Sequence, residues 1–289
     1  MHFFNRYWLA CSLVFSIALS QADAVQAQTA SRDSTSPVYH LNYWVTGGIC
    51  VAGAAGGLLT IPVRAKPNFT DADLLALNSS SVPSYDRWSL RQDASLIPTY
   101  ENYSLYLQIG MAAAPLGLLL DGSIRKDWGD VLLMAMEVNA VVVSFYTISP
   151  LGPSFQTRYR PVVYYPDAPV DRHNGNNKNS FYSGHVASAS AAAFFMAKVL
   201  SDYHPELGAD KYWLYAAASV PSLAMAYARL KALDHFPSDA AVGLTIGTVC
   251  GILIPELHRI GTKDMSLGVY SSPEGSGVAM HWRLETASK

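Results

Sequence analysis

Six apolar stretches of helical length dominate the chain: residues 41–63, 102–120, 129–149, 186–200, 212–228 and 239–257. None shows the apolar–polar alternation of a half-buried strand. Gly and Ala recur in all of them, as in "GGICVAGAAGGLL" and "SASAAAFF", and small residues let helix backbones approach closely. The pattern predicts an all-α protein, a six-helix bundle within residues 41–260. Two long connections interrupt it. Residues 64–101 are polar with room for an amphipathic helix or two, and residues 150–184, rich in Pro, Tyr, Arg and Asn, read as an ordered loop. Residues 261–289 form a tail in which "MSLGVYSSPEGSGVAMHWRLE" alternates in two runs about "SPEGSG", which predicts a short β-hairpin.

The N-terminus changes the picture of where the bundle works. Arg6 precedes the apolar run "YWLACSLVFSIALS", and Ala22 and Ala24 then supply an A-x-A site, with Val25 and Ala27 as the alternative. This is the plan of an export leader over residues 1–24, with cleavage alternatively at 27. Residues 25–40 read as a polar linker, and the mature protein is expected in the periplasm. Composition adds that half the residues are hydrophobic and only 15% charged, below the usual quarter. The segment lengths favour a membrane-associated bundle, with a soluble periplasmic bundle as the alternative. A carboxylate in lipid costs a few kcal/mol, so Glu137, midway along 129–149, is expected to face the bundle interior. If a leader is cleaved and the first three stretches all cross, whatever follows the third faces the cytoplasm. A periplasm-facing site therefore requires that the first stretch not cross, that the bundle be soluble, or that the leader be an anchor of unusual arrangement. The net charge of −2 leaves no footprint for nucleic acid. Cys50 and Cys250 sit in apolar segments, where a thiol behaves as a small hydrophobe. Their pairing stays open, and they suggest no metal site.

Three polar knots punctuate the apolar runs. In "YARLKALDHFPSDAAVG", His235 and Asp239 stand one helical turn apart at the entry to the sixth helix, and Arg229 closes the fifth. An Asp so placed can hold one imidazole nitrogen and leave the other for a substrate; as plain structure it is a helix cap. In "NSFYSGHVASASAAAFF", Ser183, Gly184 and His185 open the fourth helix, where free amides and the positive end of the helix dipole favour an anion. In "TRYRPVVYYPD", Arg158 and Arg160 follow the third helix, and arginine suits bidentate contact with phosphate. In an up-and-down bundle all three knots fall at one end. Their natural shared guest is a tetrahedral oxyanion.

These residues resemble the type 2 phosphatidic acid phosphatase superfamily, which includes the vanadium haloperoxidases. The family pattern is Lys, six residues, Arg-Pro; then Pro-Ser-Gly-His; then Ser-Arg, five residues, His, three residues, Asp. This chain has Arg160-Pro161, "YSGH" at 182–185 and "ARLKALDHFPSD" at 228–239, in the same order across about residues 100–257. The resemblance implies a hydrolase of phosphomonoesters or diphosphates, lipid-linked, working through a phosphohistidine without cofactor or metal. It implies His235 as nucleophile, Asp239 as its orienting partner and His185 as proton donor. Arg160, Ser183, Gly184 and Arg229 would hold the phosphate oxygens. Vanadate enters only under the alternative of a haloperoxidase; a third reading is a non-catalytic membrane protein of the same fold. The chain departs from the pattern at Pro153, where the family has its Lys, and at Tyr182 and Ala228. Arg158 and Lys178 are the nearest cations in sequence to replace that Lys. Lys231 and Asp234 read as ordinary polar loop residues.

Overall fold

A computed structural model of the chain describes residues 37–259 and the backbone of two strands at 265–272 and 275–282. The leader and most of the stretch read as linker lie outside the described residues. The expected six helices are α1 (Tyr43–Leu59), α2 (Ile97–Ala113), α3 (Trp128–Ile148), α4 (Gly184–Tyr203), α5 (Lys211–Lys231) and α6 (Pro237–His258). Asn42 caps α1 by accepting from the Trp44 and Val45 amides. Pro115 lacks the amide that would continue α2, and the chain passes into 3₁₀ turns over Ala114–Leu120. The first apolar stretch yields a shorter helix than its length suggested, because the chain turns at Thr60 and restarts at Ile61–Arg64.

Helix α4 is central and packs against α2, α3, α5 and α6, while α1 lies on α3. Its closest neighbour is α6, for a reason visible in sequence. Gly243, Gly247 and Gly251 repeat every four residues along one face of α6. A Cβ on them would come within 2.5, 2.2 and 2.5 Å of the Ser183, Ala187 and Ala191 carbonyls of α4. Only glycine permits that approach, and it brings the entry of α6 against the entry of α4.

Charged residues buried along the bundle are paired, as burial demands. Glu137 faces inward, 5% exposed, and accepts from His258 Nε2 at 2.8 Å. Lys198 donates to Asp202 Oδ2 at 2.6 Å and pairs with Glu256. Val38, Tyr39 and Leu41 are buried in the core, so the end of the stretch read as polar linker packs on the bundle. The Tyr39 hydroxyl donates to Asp202 at 2.8 Å, which turns an apparent linker into a strap across the end remote from the knots. Both Cys50 and Cys250 are free thiols. The backbones of β1 (Met265–Ser272) and β2 (Gly275–Trp282) pair antiparallel, Met265 opposite Trp282.

Among the described residues, three helical stretches are long and apolar enough to cross a membrane: Ala94–Leu120, Ile124–Ile148 and Pro237–His258. Trp44, Trp128, Tyr212 and Trp213 are exposed on helix ends remote from the knots, where aromatic residues suit the lipid–water boundary. The chain is membrane-associated.

Candidate active site

The turn between α5 and α6 sets the position of His235. Leu233 adopts a left-handed conformation, φ 57°. Its amide donates to the Leu230 carbonyl and the Asp234 amide to the Arg229 carbonyl, a Schellman closure that normally has Gly at this point. Here Leu233 is fully buried against Phe69, Ile97, Val162 and Val163, and that burial offsets a backbone cost of about 1–2 kcal/mol. The Leu233 carbonyl accepts from the Val162 amide at 3.1 Å, while Arg158 and Arg160 donate backbone bonds to Lys178 and Asn177. The 158–162 loop is thereby stitched to both other knots.

His235 is 2% exposed, and its Nδ1 lies 2.6 Å from the Ser180 carbonyl. A carbonyl can only accept, so Nδ1 carries the proton and Nε2 keeps its lone pair. Burial, then the positive charges of Arg229 and Arg160, push the ring's pKa well below its ordinary value. A neutral imidazole with a bare Nε2 is the form a nucleophile needs.

Asp239 does not hold His235 directly, contrary to the sequence expectation. Its Oδ2 accepts from the Ser180 hydroxyl at 2.6 Å and from the Phe236 amide at 2.8 Å. Its Oδ1 pairs with Arg158 Nη1. At the third residue of α6 the carboxylate reaches back to the amide before the helix, and this turns it away from the ring. Ser180 is the intermediary, with its carbonyl on His235 and its hydroxyl on Asp239.

The cradle for an oxyanion is built around Asp234, a residue the sequence did not single out. Its carboxylate lies between Arg160 Nη1 and Arg229 Nη2, the latter at 2.6 Å. Arg229 Nη1 also donates to Ser104 Oγ at 3.0 Å. Both guanidiniums are thus fixed by their outer nitrogens, yet the Nε of each is buried without a partner among the described residues, as is the Ser183 hydroxyl. Buried polar groups are ordinarily satisfied, so these three donors await an acceptor. Gly184 adds the free amides of the α4 entry; a Cβ there would sit 3.1 Å from the Tyr146 ring. His185 lies at the mouth, exposed at its surface and walled in behind. That desolvation, with Arg229 and Arg160 adding to it and Asp234 opposing, pushes its pKa down to about 4.

The two cations nominated for the missing Lys are occupied elsewhere. Arg158 Nη2 meets Asp86 Oδ2 at 2.6 Å, and its Nη1 serves Ser238 and Asp239. Lys178 stacks over Phe69, 4.5 Å from the ring centre, and reaches the Asn68 carbonyl at 3.5 Å. Asp86, fully buried, also accepts from the Ser238 amide and hydroxyl. It lies in the polar 64–101 stretch, where no pattern marks it.

No curated protein matches the chain. A crystal structure titled as the first transmembrane PAP2 type phosphatidylglycerolphosphate phosphatase from Bacillus subtilis is similar to it, at 21% identity over 70% of this chain and 93% of that one, with a TM-score of 0.42. Residues 128–261, which carry all three knots, match the PAP2 superfamily, and over that segment the family named from the motifs is found.

Proposed function

We propose that this protein is a phosphatase that hydrolyses a lipid-linked phosphomonoester or diphosphate through a phosphohistidine on His235. The observation that carries the reading is the pairing of a bare His235 Nε2 with buried, unpartnered donors on Arg160, Arg229 and Ser183. In the first step Nε2 attacks phosphorus, the bond to the leaving oxygen breaks, and His185 gives that oxygen a proton. In the second step neutral His185 takes a proton from water, the resulting hydroxide attacks phosphorus, and the N–P electrons return to Nε2. The arginines and the α4 amides hold the equatorial oxygens, where charge builds. Phosphate bound there offsets the positive fields on His185 and lifts it toward the protonated form that step one uses.

A lipid-linked substrate is supported by the three membrane-length helices and by exposed Tyr85, Trp88, Tyr103 and Tyr227 near the site end. The leader pattern supports a site facing the periplasm. The test is phosphate release by purified protein in detergent from phosphatidic acid, phosphatidylglycerophosphate, polyprenyl diphosphates, lipid A and a soluble ester. His235→Asn is expected to lose about 10³-fold or more in kcat, together with an acid-labile phosphoenzyme trapped on quenching. An active His235→Asn protein would overturn the assignment.

A further inference from the structure

The cradle is short of one cation. Pro153 is buried where the family pattern has Lys, and Arg160 and Arg229 share Asp234. Lys66, like Arg158 and Lys178, is engaged: its Nζ donates to the Gln156 carbonyl and the Thr157 hydroxyl at 3.2 and 3.3 Å.

Arg64 differs from all of these. It ends the short helix after α1, and its Nη2 donates to the Gly57 carbonyl at 2.9 Å. It has no carboxylate partner among the described residues, and its Nε is buried without a hydrogen bond. The guanidinium carbon lies 5.9 Å from the centre of the Tyr146 ring, the ring that walls Gly184 in the cradle. The Gly152–Pro153 turn closes on the same residue, since a Cβ on Gly152 would meet the Tyr146 carbonyl at 2.0 Å. Arg64 and position 153 therefore flank one tyrosine. Asn179 Nδ2 donates to the Arg64 carbonyl at 2.8 Å and fixes its backbone to the residue preceding Ser180.

We infer that Arg64 supplies the third cation to the bound phosphate, reaching the cradle from the turn after α1 in place of a lysine at position 153. The inference rests on the phosphate-site reading above, and its experiment separates the two. Vanadate and inorganic phosphate binding, followed as a ligand-induced rise in melting temperature, needs no turnover. Arg64→Ala is expected to weaken both ligands and lower kcat/KM by roughly 10- to 100-fold, the range for losing a charge-assisted hydrogen bond, without lowering the melting temperature of the empty protein. Arg64→Lys should recover part of the loss, and so should Pro153→Lys added to Arg64→Ala. An Arg64→Ala protein that binds vanadate as tightly as wild type overturns the inference. A wild-type protein that binds vanadate through Arg64 but hydrolyses none of the substrates overturns the phosphatase reading and leaves the Arg64 contact standing.

Discussion

Replacing Asp239 by Asn distinguishes a carboxylate that orients the nucleophile from one that holds the loop around it. All three partners of Asp239 (Arg158 Nη1, the Ser180 hydroxyl and the Phe236 amide) donate to it. An amide offers one oxygen, so its NH₂ must face either the guanidinium or the Phe236 N–H. The Ser180 hydroxyl can rotate to accept, but one buried donor is left unmet, at about 1–3 kcal/mol. Arg158 loses one of two carboxylates; it is 25% exposed on its side chain and retains Asp86, so this adds only about 1 kcal/mol. The sum, roughly 2–4 kcal/mol, corresponds to a fall in melting temperature of roughly 3–8 °C for a chain of this size. The His235 Nδ1 bond to the Ser180 carbonyl survives, so kcat should drop about 10- to 100-fold through misplacement. Thermal unfolding in detergent and steady-state kinetics measure the two effects on one preparation. A loss near the roughly 10⁴-fold seen when a carboxylate bonded directly to a catalytic imidazole is neutralised, with the melting temperature unchanged, would refute the arrangement.

Two further outcomes follow from the same geometry. His235 has a folded pKa below its unfolded value of about 6.5, so the unfolded chain binds the extra proton first. Stability should hold above pH about 6.5 and fall as pH drops below it, by at most about 1.4 kcal/mol per pH unit for this group; His235→Asn should flatten the slope, and an unaltered slope would count against a buried neutral ring. For sidedness, single cysteines at exposed Asp167, near the site, and exposed Gly122, at the other end, placed in a chain lacking its own cysteines, should label from opposite sides of the membrane. Labelling of position 167 only after the inner membrane is opened would refute a periplasm-facing site.

Much of this architecture could be read from the chain because the relevant signals are local. Apolar runs gave six helices, and the glycines at 243, 247 and 251 share a helical face whatever they pack against. The Arg229–His235 turn and the entry to α4 are short segments whose residue order places them near each other once the helices alternate. What escaped was choice of partner. Asp239 lies one turn after His235, and the spacing alone suggests contact, yet reaching back to cap Phe236 turns the carboxylate toward Ser180. Asp234 looked like solvated loop because its two arginines come from different segments, one of them across the bundle end. Asp86 and Arg64 lie in or beside a polar connection with no periodicity, and only the folding of that connection brings Asp86 onto Arg158 and Ser238 and the Arg64 carbonyl onto Asn179.

The arrangement of charge explains how such a site stays folded when empty. A buried guanidinium without a counter-ion is costly, and the cradle needs at least two. Asp234 meets the terminal nitrogens of both Arg160 and Arg229, and Asp86 with Asp239 meets those of Arg158. Each carboxylate thus neutralises its arginine through the terminal nitrogens and pins it in place. The inner Nε donors of Arg160 and Arg229 are left free, so positioning is complete before substrate arrives, as electrostatic catalysis requires. Two arginines sharing one carboxylate leave a single positive charge, which suits a monoanion but not the dianionic form of a phosphomonoester. Arg64 beside Tyr146, with no carboxylate partner among the described residues, supplies the second charge without burying another ion pair, and its position on the turn after α1 leaves the loop at Pro153 free of that duty.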